Sequence, residues 1–149
     1  MENEIKSDSI LEKKLRDVGY EKTEFEPVVK NRFIVKIDGI PSFVISGVSM
    51  PVCYFNRSNA NGVVSYWEPL TLHLYNPINP SIEKDILELG KKDDIDIEIT
   101  YLGPVGDAVF SWNFKTEMIS INYGSFNWAD TGDPNIIEVK FNVKEATIV

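Results

Sequence analysis

The run Asp94-Ile95-Asp96-Ile97-Glu98-Ile99-Thr100 alternates acidic and branched apolar residues without a break. In an extended chain successive side chains point to opposite faces, so Ile95, Ile97 and Ile99 enter a core together while Asp94, Asp96 and Glu98 share the other face. A helix would scatter both sets. The same period recurs over 32–38, where Phe33, Val35 and Ile37 oppose Arg32, Lys36 and Asp38, with Ile34 as the one breach. It recurs again over 67–75, where Leu70, Leu72 and Leu74 oppose Thr71, His73 and Tyr75, and over 136–143, where Ile137, Val139, Phe141 and Val143 form the apolar set.

The punctuation between these runs predicts how they connect. Gly39 and Pro41 turn the chain, so 42–50 is expected to return along 32–38 as an antiparallel hairpin. Asn61-Gly62 predicts a second, longer hairpin over 52–66, with Tyr54 and Phe55 before the turn and Val63, Val64 and Tyr66 after it. Such a projection is either an ordinary mobile loop or a contact with another chain. Asn79 and Pro80 read as cap and first residue of a helix over 80–90 that buries Ile82, Ile86 and Leu89 and stops at Gly90. Further strands are expected over 109–114, 118–122 and 126–128, with Tyr123-Gly124-Ser125 a tight turn. The sum is a mainly β (α+β) fold: an antiparallel sandwich or barrel-like body with one internal helix.

Residues 1–30 differ from the rest, carrying eight acids and six bases. Ser9-Ile10-Leu11-Glu12 has the form of a capping box, Leu11, Leu15 and Val18 share one face, and Gly19 stands where a helix would end. A short amphipathic helix over 10–18 follows. A helix of about nine residues is marginal alone in water, so its stripe needs a partner surface. Residues 20–30 read as a tether.

A chain of 149 residues fits one domain and buries roughly 68–70% of its unfolded surface, enough for a core without staples. The single cysteine, Cys53, closes no intramolecular disulfide, and no apolar run has the length of a signal peptide or a membrane span, so folding in a reducing cytoplasm is expected. Net charge is −8, and residues 83–98 hold seven acids against three lysines. That excludes nucleic-acid binding as the main task, since a phosphate backbone is gripped by clustered Lys and Arg. A surface of the same sign as DNA suits a conduit.

Chemistry finds little to use. His73 is the only histidine, and a lone imidazole on a strand is far more often packed or solvated than catalytic. With one cysteine and one histidine the usual zinc sites are excluded. Asp94, Asp96 and Glu98 have the spacing of a strand face and lack the glycine-bearing loop of a calcium site. No phosphate loop and no nucleophile elbow is present, so no catalytic residue, metal site or cofactor site is assigned.

The order of landmarks is more specific than any one of them. Asn31-Arg32-Phe33, Asp38-Gly39, the Asn-rich loop, Trp67-Glu68-Pro69-Leu70-Thr71-Leu72, the helix, Trp112, Ile119-Ser120-Ile121-Asn122-Tyr123-Gly124, Trp128 and a closing strand occur in that sequence. Over about residues 28–149 this resembles the tail tube proteins of contractile-tailed bacteriophages, leaving 1–27 as an N-terminal extension. The resemblance implies a non-enzymatic subunit of hexameric rings, stacked into a hollow tube inside a sheath, with sheets of neighbouring copies joining around the lumen. It implies as partners the chain itself, sheath, tape-measure and baseplate or tube-initiator proteins, with DNA only a non-specific passenger and no membrane insertion. It places the protein in a virion tail, assembled in the bacterial host cytoplasm. On this reading Asp94, Asp96 and Glu98 line the lumen, and Leu11, Leu15, Val18, Tyr54, Phe55, Asn59, Asn61 and Val63 supply contacts between subunits.

Two other readings compete. One is a baseplate, initiator or terminator protein of the same fold, or the inner tube of a phage-like injection particle. The other is a monomeric sandwich that binds a carbohydrate or small ligand on Trp67, Trp112 or Trp128.

Overall fold

The computed structural model of the chain describes residues 27–59 and 62–149. The predicted helix over 10–18, with Leu11, Leu15 and Val18, lies outside the described residues, as does Asn61. From Phe33 onward the body contains strands β1 (Phe33–Ile37), β2 (Ile45–Ser49), β3 (Cys53–Asn59), β4 (Gly62–Trp67), β5 (Leu70–Tyr75), β6 (Ile95–Leu102), β7 (Ala108–Asn122) and β8 (Ile136–Ile148). One helix, α1 (Glu83–Leu89), stands between β5 and β6.

Six strands form one antiparallel sheet in the order β1-β6-β7-β8-β5-β2. β3 and β4 pair with each other in a separate two-stranded sheet. The sheet curls into a nearly closed, barrel-like body; its edge strands β1 and β2 do not pair with each other, and the isolated bridge Ile37 to Ile40 belongs to the turn at Gly39 that follows β1. Because every neighbour is antiparallel and the strands number six, β1 and β2 run in opposite directions.

The curl comes from β7 and β8. Their pairing slips between Lys115 and Thr116 and again between Met118 and Ser120. An extra residue on one strand bends it and reverses which side chains face inward. Thus Phe114 and Thr116 point into the core on even positions, while beyond the second slip Ile121 does so on an odd one. In β8 the inward set Ile137, Val139, Phe141 and Val143 gives way to Ala146. One half of each strand therefore serves β6 and β1, and the other half serves β5 and β2.

The core lies between these halves. Val35, Ile37, Ile95, Ile97, Ile99 and Phe114 enter from one side, and Leu70, Leu72, Leu74, Ile137, Val139 and Phe141 from the other. α1 adds Ile82, Ile86 and Leu89. Thr116, fully buried, donates its hydroxyl to the Ile95 carbonyl at 2.8 Å, and no buried side-chain polar atom among the described residues lacks a partner.

The alternating runs 94–100 and 70–75 pack as their sequence requires, and so does the buried stripe of the helix. Other expectations are corrected. The runs 32–38 and 42–50 do not pair as a hairpin: Ser42–Val44 makes a single 3-10 turn and carries the chain away, so β1 and β2 end on opposite edges. Asn79 and Pro80 do not open the helix: it begins three residues later, at Glu83, with Ile82 as its cap. The segments 109–114 and 118–122 are one strand, the extra residue Ile119 having shifted the alternation that would join them. Residues 126–128 form no strand.

Leu72 is completely buried in the middle of β5, whereas Ile119 on β7 is 54% exposed. Leu72→Ala is expected to cost about 2–5 kcal/mol in urea unfolding. Ile119→Ala is expected to stay within about 0.5 kcal/mol of the parent.

Candidate assembly surfaces

Two open sheet edges are the first feature that a lone copy leaves incomplete. Among the described residues the outer backbone groups of β1 and β2 have no strand beside them. A free edge is a template for another strand, and proteins cover it, blunt it or use it. β1 pairs with β6 in unbroken register from Phe33–Tyr101 to Ile37–Ile97, so its free side is regular too. β2 slips once against β5, between Ile45 and Gly47.

The second feature is the β3–β4 hairpin. Trp67, at its base, packs edge-on against Trp112 at 5.9 Å and Phe114 at 6.1 Å, and those two rings stack at 5.5 Å. The Glu68 amide donates to the Val52 carbonyl and closes the base. Beyond this anchor the hairpin is exposed on both sides. One face carries the stacked rings of Tyr54 and Tyr66, 5.3 Å apart, and Val64; the other carries Phe55 and Val63, 61% and 53% exposed. A two-stranded ribbon is marginal by itself, and this one spends apolar side chains on solvent. Asn59 ends β3, its side chain outside the described residues.

The third feature is the outer face of β1, β6, β7 and β8. Cross-strand register builds two rows, Lys36–Glu98–Asn113–Thr147 and Asp96–Lys115–Glu145. Together with Asp38 they line a shallow concavity of about 560 Å³. Acids outnumber bases four to two on this face, and each lysine sits opposite a carboxylate. Of the three acids singled out in the sequence, Asp96 and Glu98 share this face. Asp94 lies just before β6, where its carboxylate accepts from Lys144 Nζ at 3.0 Å. Lys144 also donates to the Asp93 carbonyl and lies 4.0 Å from Glu117. The hydrogen bond to Asp94 raises the Lys144 pKa above its ordinary value.

Sequence reasoning missed the fourth feature as a surface. The loop between β7 and β8 holds Phe126, 83% exposed, and Trp128, fully exposed. Its form is pinned: the Asn135 side-chain amide donates to the Tyr123 carbonyl, the Gly124 amide to Asn122 Oδ1, and the Ala129 amide to Asn127 Oδ1. Trp112 and Trp67 are half-buried anchors, so of the three tryptophans only Trp128 is free to act as a platform. Among the described residues no cluster of His, Cys, Asp and Glu has the arrangement of a metal site, and no helix is long and apolar enough to cross a membrane.

By sequence, no protein-family model and no curated protein matches the chain. By structure, it is similar to a chain of the sheath/tube terminator of an extracellular contractile injection system, PVC, in its extended state. The TM-score is 0.63 and the identity 19%, over 83% of this chain and 97% of that one. A chain of the PVC sheath–tube complex matches with TM-score 0.60 and 17% identity, over 88% and 99%. Hcp1 from Flavobacterium johnsoniae matches with TM-score 0.55 and 8% identity, over 78% and 94%. The likeness is one of fold: this body has a phage tail-tube-like fold.

The Tyr54 hydroxyl donates to Glu68 Oε1 at 2.9 Å, and this bond, together with the charge of Glu68, raises the Tyr54 pKa above the ordinary tyrosine value. The bond to the neutral phenol therefore holds below that ordinary value and is lost as pH rises through the higher, folded one. In an ultraviolet difference titration, with Tyr54→Phe assigning the signal, Tyr54 is expected to ionise after an unperturbed tyrosine. Glu68→Gln is expected to bring it back toward the ordinary value.

Proposed function

We propose that the chain is a structural subunit of the inner tube of a contractile device, without catalytic function. Copies form hexameric rings, and the rings stack around a lumen. The observation that carries this reading is the pair of open edges on a tail-tube-like fold. Since β1 and β2 run oppositely, a copy rotated about an axis roughly along the strands sets its β1 edge antiparallel to the β2 edge of its neighbour. Repeating the step removes every edge but those the ring itself closes.

The charged face of β1, β6, β7 and β8 then lines the lumen, with Asp96 and Glu98 at its centre and Asp94 at its rim. Its cross-strand rows are polar and net acidic, so it repels a polyanion and offers little for a passing chain to adhere to. The passengers are DNA or ejected proteins. The hairpin residues Tyr54, Phe55, Asn59, Asn61 and Val63, and Leu11, Leu15 and Val18 of the N-terminal extension over 1–27, make contacts between subunits. Sheath, tape-measure and baseplate or tube-initiator proteins are the partners, and the setting is a virion tail or an equivalent particle assembled in the bacterial host cytoplasm.

Likeness to a chain of a sheath/tube terminator supports a second reading. There the protein makes a ring at one end of a tube and does not polymerise.

Negative-stain microscopy of the purified, concentrated protein is expected to show six-fold rings and tubes; single rings that never stack favour the second reading, and a monomer under all conditions overturns both. Asp96→Lys combined with Glu98→Lys is expected to leave assembly intact while tubes gain affinity for labelled DNA at low salt. Loss of assembly in that variant would place the face at an interface instead.

A further inference from the structure

We infer that the β7–β8 loop is the receiving half of a head-to-tail contact, and that its occupant is the β3–β4 hairpin of a second copy. This rests on the tube reading and specifies which surfaces stack.

Position comes first. The hairpin joins the body at Leu70, where β5 begins, through Glu68 and Pro69. The loop is fastened where β5 ends: Tyr75 pairs with Ile136, and the Asn76 amide donates to the Asn135 carbonyl. The two features therefore sit at opposite ends of one strand, about 17 Å apart at the usual rise per residue. Moving a copy along that strand direction carries the loop of one toward the hairpin of the next. Such a contact joins different patches and leaves one of each unused at the ends, which is the condition for an open stack.

Chemistry fits the same pairing. The loop encloses a recess of about 460 Å³ whose walls include Phe126, Asp130 and Asp133. Its only charged side chains are these two exposed acids. On the hairpin, Phe55 and Val63 share one face, and Arg57 follows at the irregularity in β3, all three exposed. Arg57 is the sole charge in the sequence between Asp38 and Glu68. An arginine flanked by apolar side chains is the complement of an aromatic recess bearing two carboxylates, since the guanidinium can bond a carboxylate through a planar fork and stack on a ring. The hydrogen bonds that pin the loop hold Phe126 and Trp128 outward before any partner arrives, which limits the entropy lost on contact.

Charge reversal tests the pairing. Arg57→Asp is expected to raise the concentration at which rings stack at least about tenfold, as is Asp130→Arg with Asp133→Arg. All three changes in one chain are expected to restore stacking. Trp128→Ala, fully exposed and so harmless to the fold, is expected to shorten tubes as well. Sedimentation and tube length in negative stain give the readout, with circular dichroism checking that each variant is folded. Tubes of parental length in Arg57→Asp or Trp128→Ala, or no restoration in the combined variant, overturn this contact and leave the tube reading standing. A parent that never associates overturns both.

Discussion

Burying Ile95, Ile97 and Ile99 in the same core as Leu70, Leu72 and Leu74 requires a single sheet to face itself, and the bend in β7 and β8 is what permits it. A straight strand of fifteen residues would extend about 50 Å and leave its apolar side against water. Two slips in its pairing with β8 turn it instead, while its pairing with β6 holds at Thr116, whose hydroxyl also donates to the Ile95 carbonyl. Everything offered to neighbours follows from that bend. It leaves β1 and β2 as unpaired edges of one curled sheet, and it sets a polar face on the outside of one half.

Where one physical rule acted alone, the sequence was readable. Strict alternation placed the inward sets of β5 and β6 correctly, and the spacing of Ile82, Ile86 and Leu89 found the buried side of α1. The long hairpin was visible from Asn61-Gly62 between apolar flanks. Errors came where local and distant preferences conflict. Gly39 and Pro41 are sound turn residues, yet a turn says nothing about which strand the next segment will pair with, and β5 claimed β2. The extra residue Ile119 in β7 shifted the period that would have joined its halves, so one strand read as two.

The assembly surfaces were legible in a different degree. Exposed aromatic residues in the hairpin stood out because their neighbours are Asn, Ser and Gly. Phe126 and Trp128 did not, since an aromatic pair beside a turn looks the same in sequence whether it packs inward or faces solvent. The charged face was half seen: alternation along β6 gave Asp96 and Glu98, but the lysines opposite them come from β1 and β7, brought there only by register. What read as an acidic stripe is a checkerboard with an acidic excess.

The even number of strands has a further bearing on symmetry. A protomer whose borders point in contrary senses can be appended to its own copy any number of times without a clash of polarity, so strand direction sets no limit on how many copies close a circle. In the ring proposed above, that number is left to how sharply each protomer bends the shared wall. The two slips between β7 and β8, one with its extra residue on each strand, would thus act as a ruler for bore width.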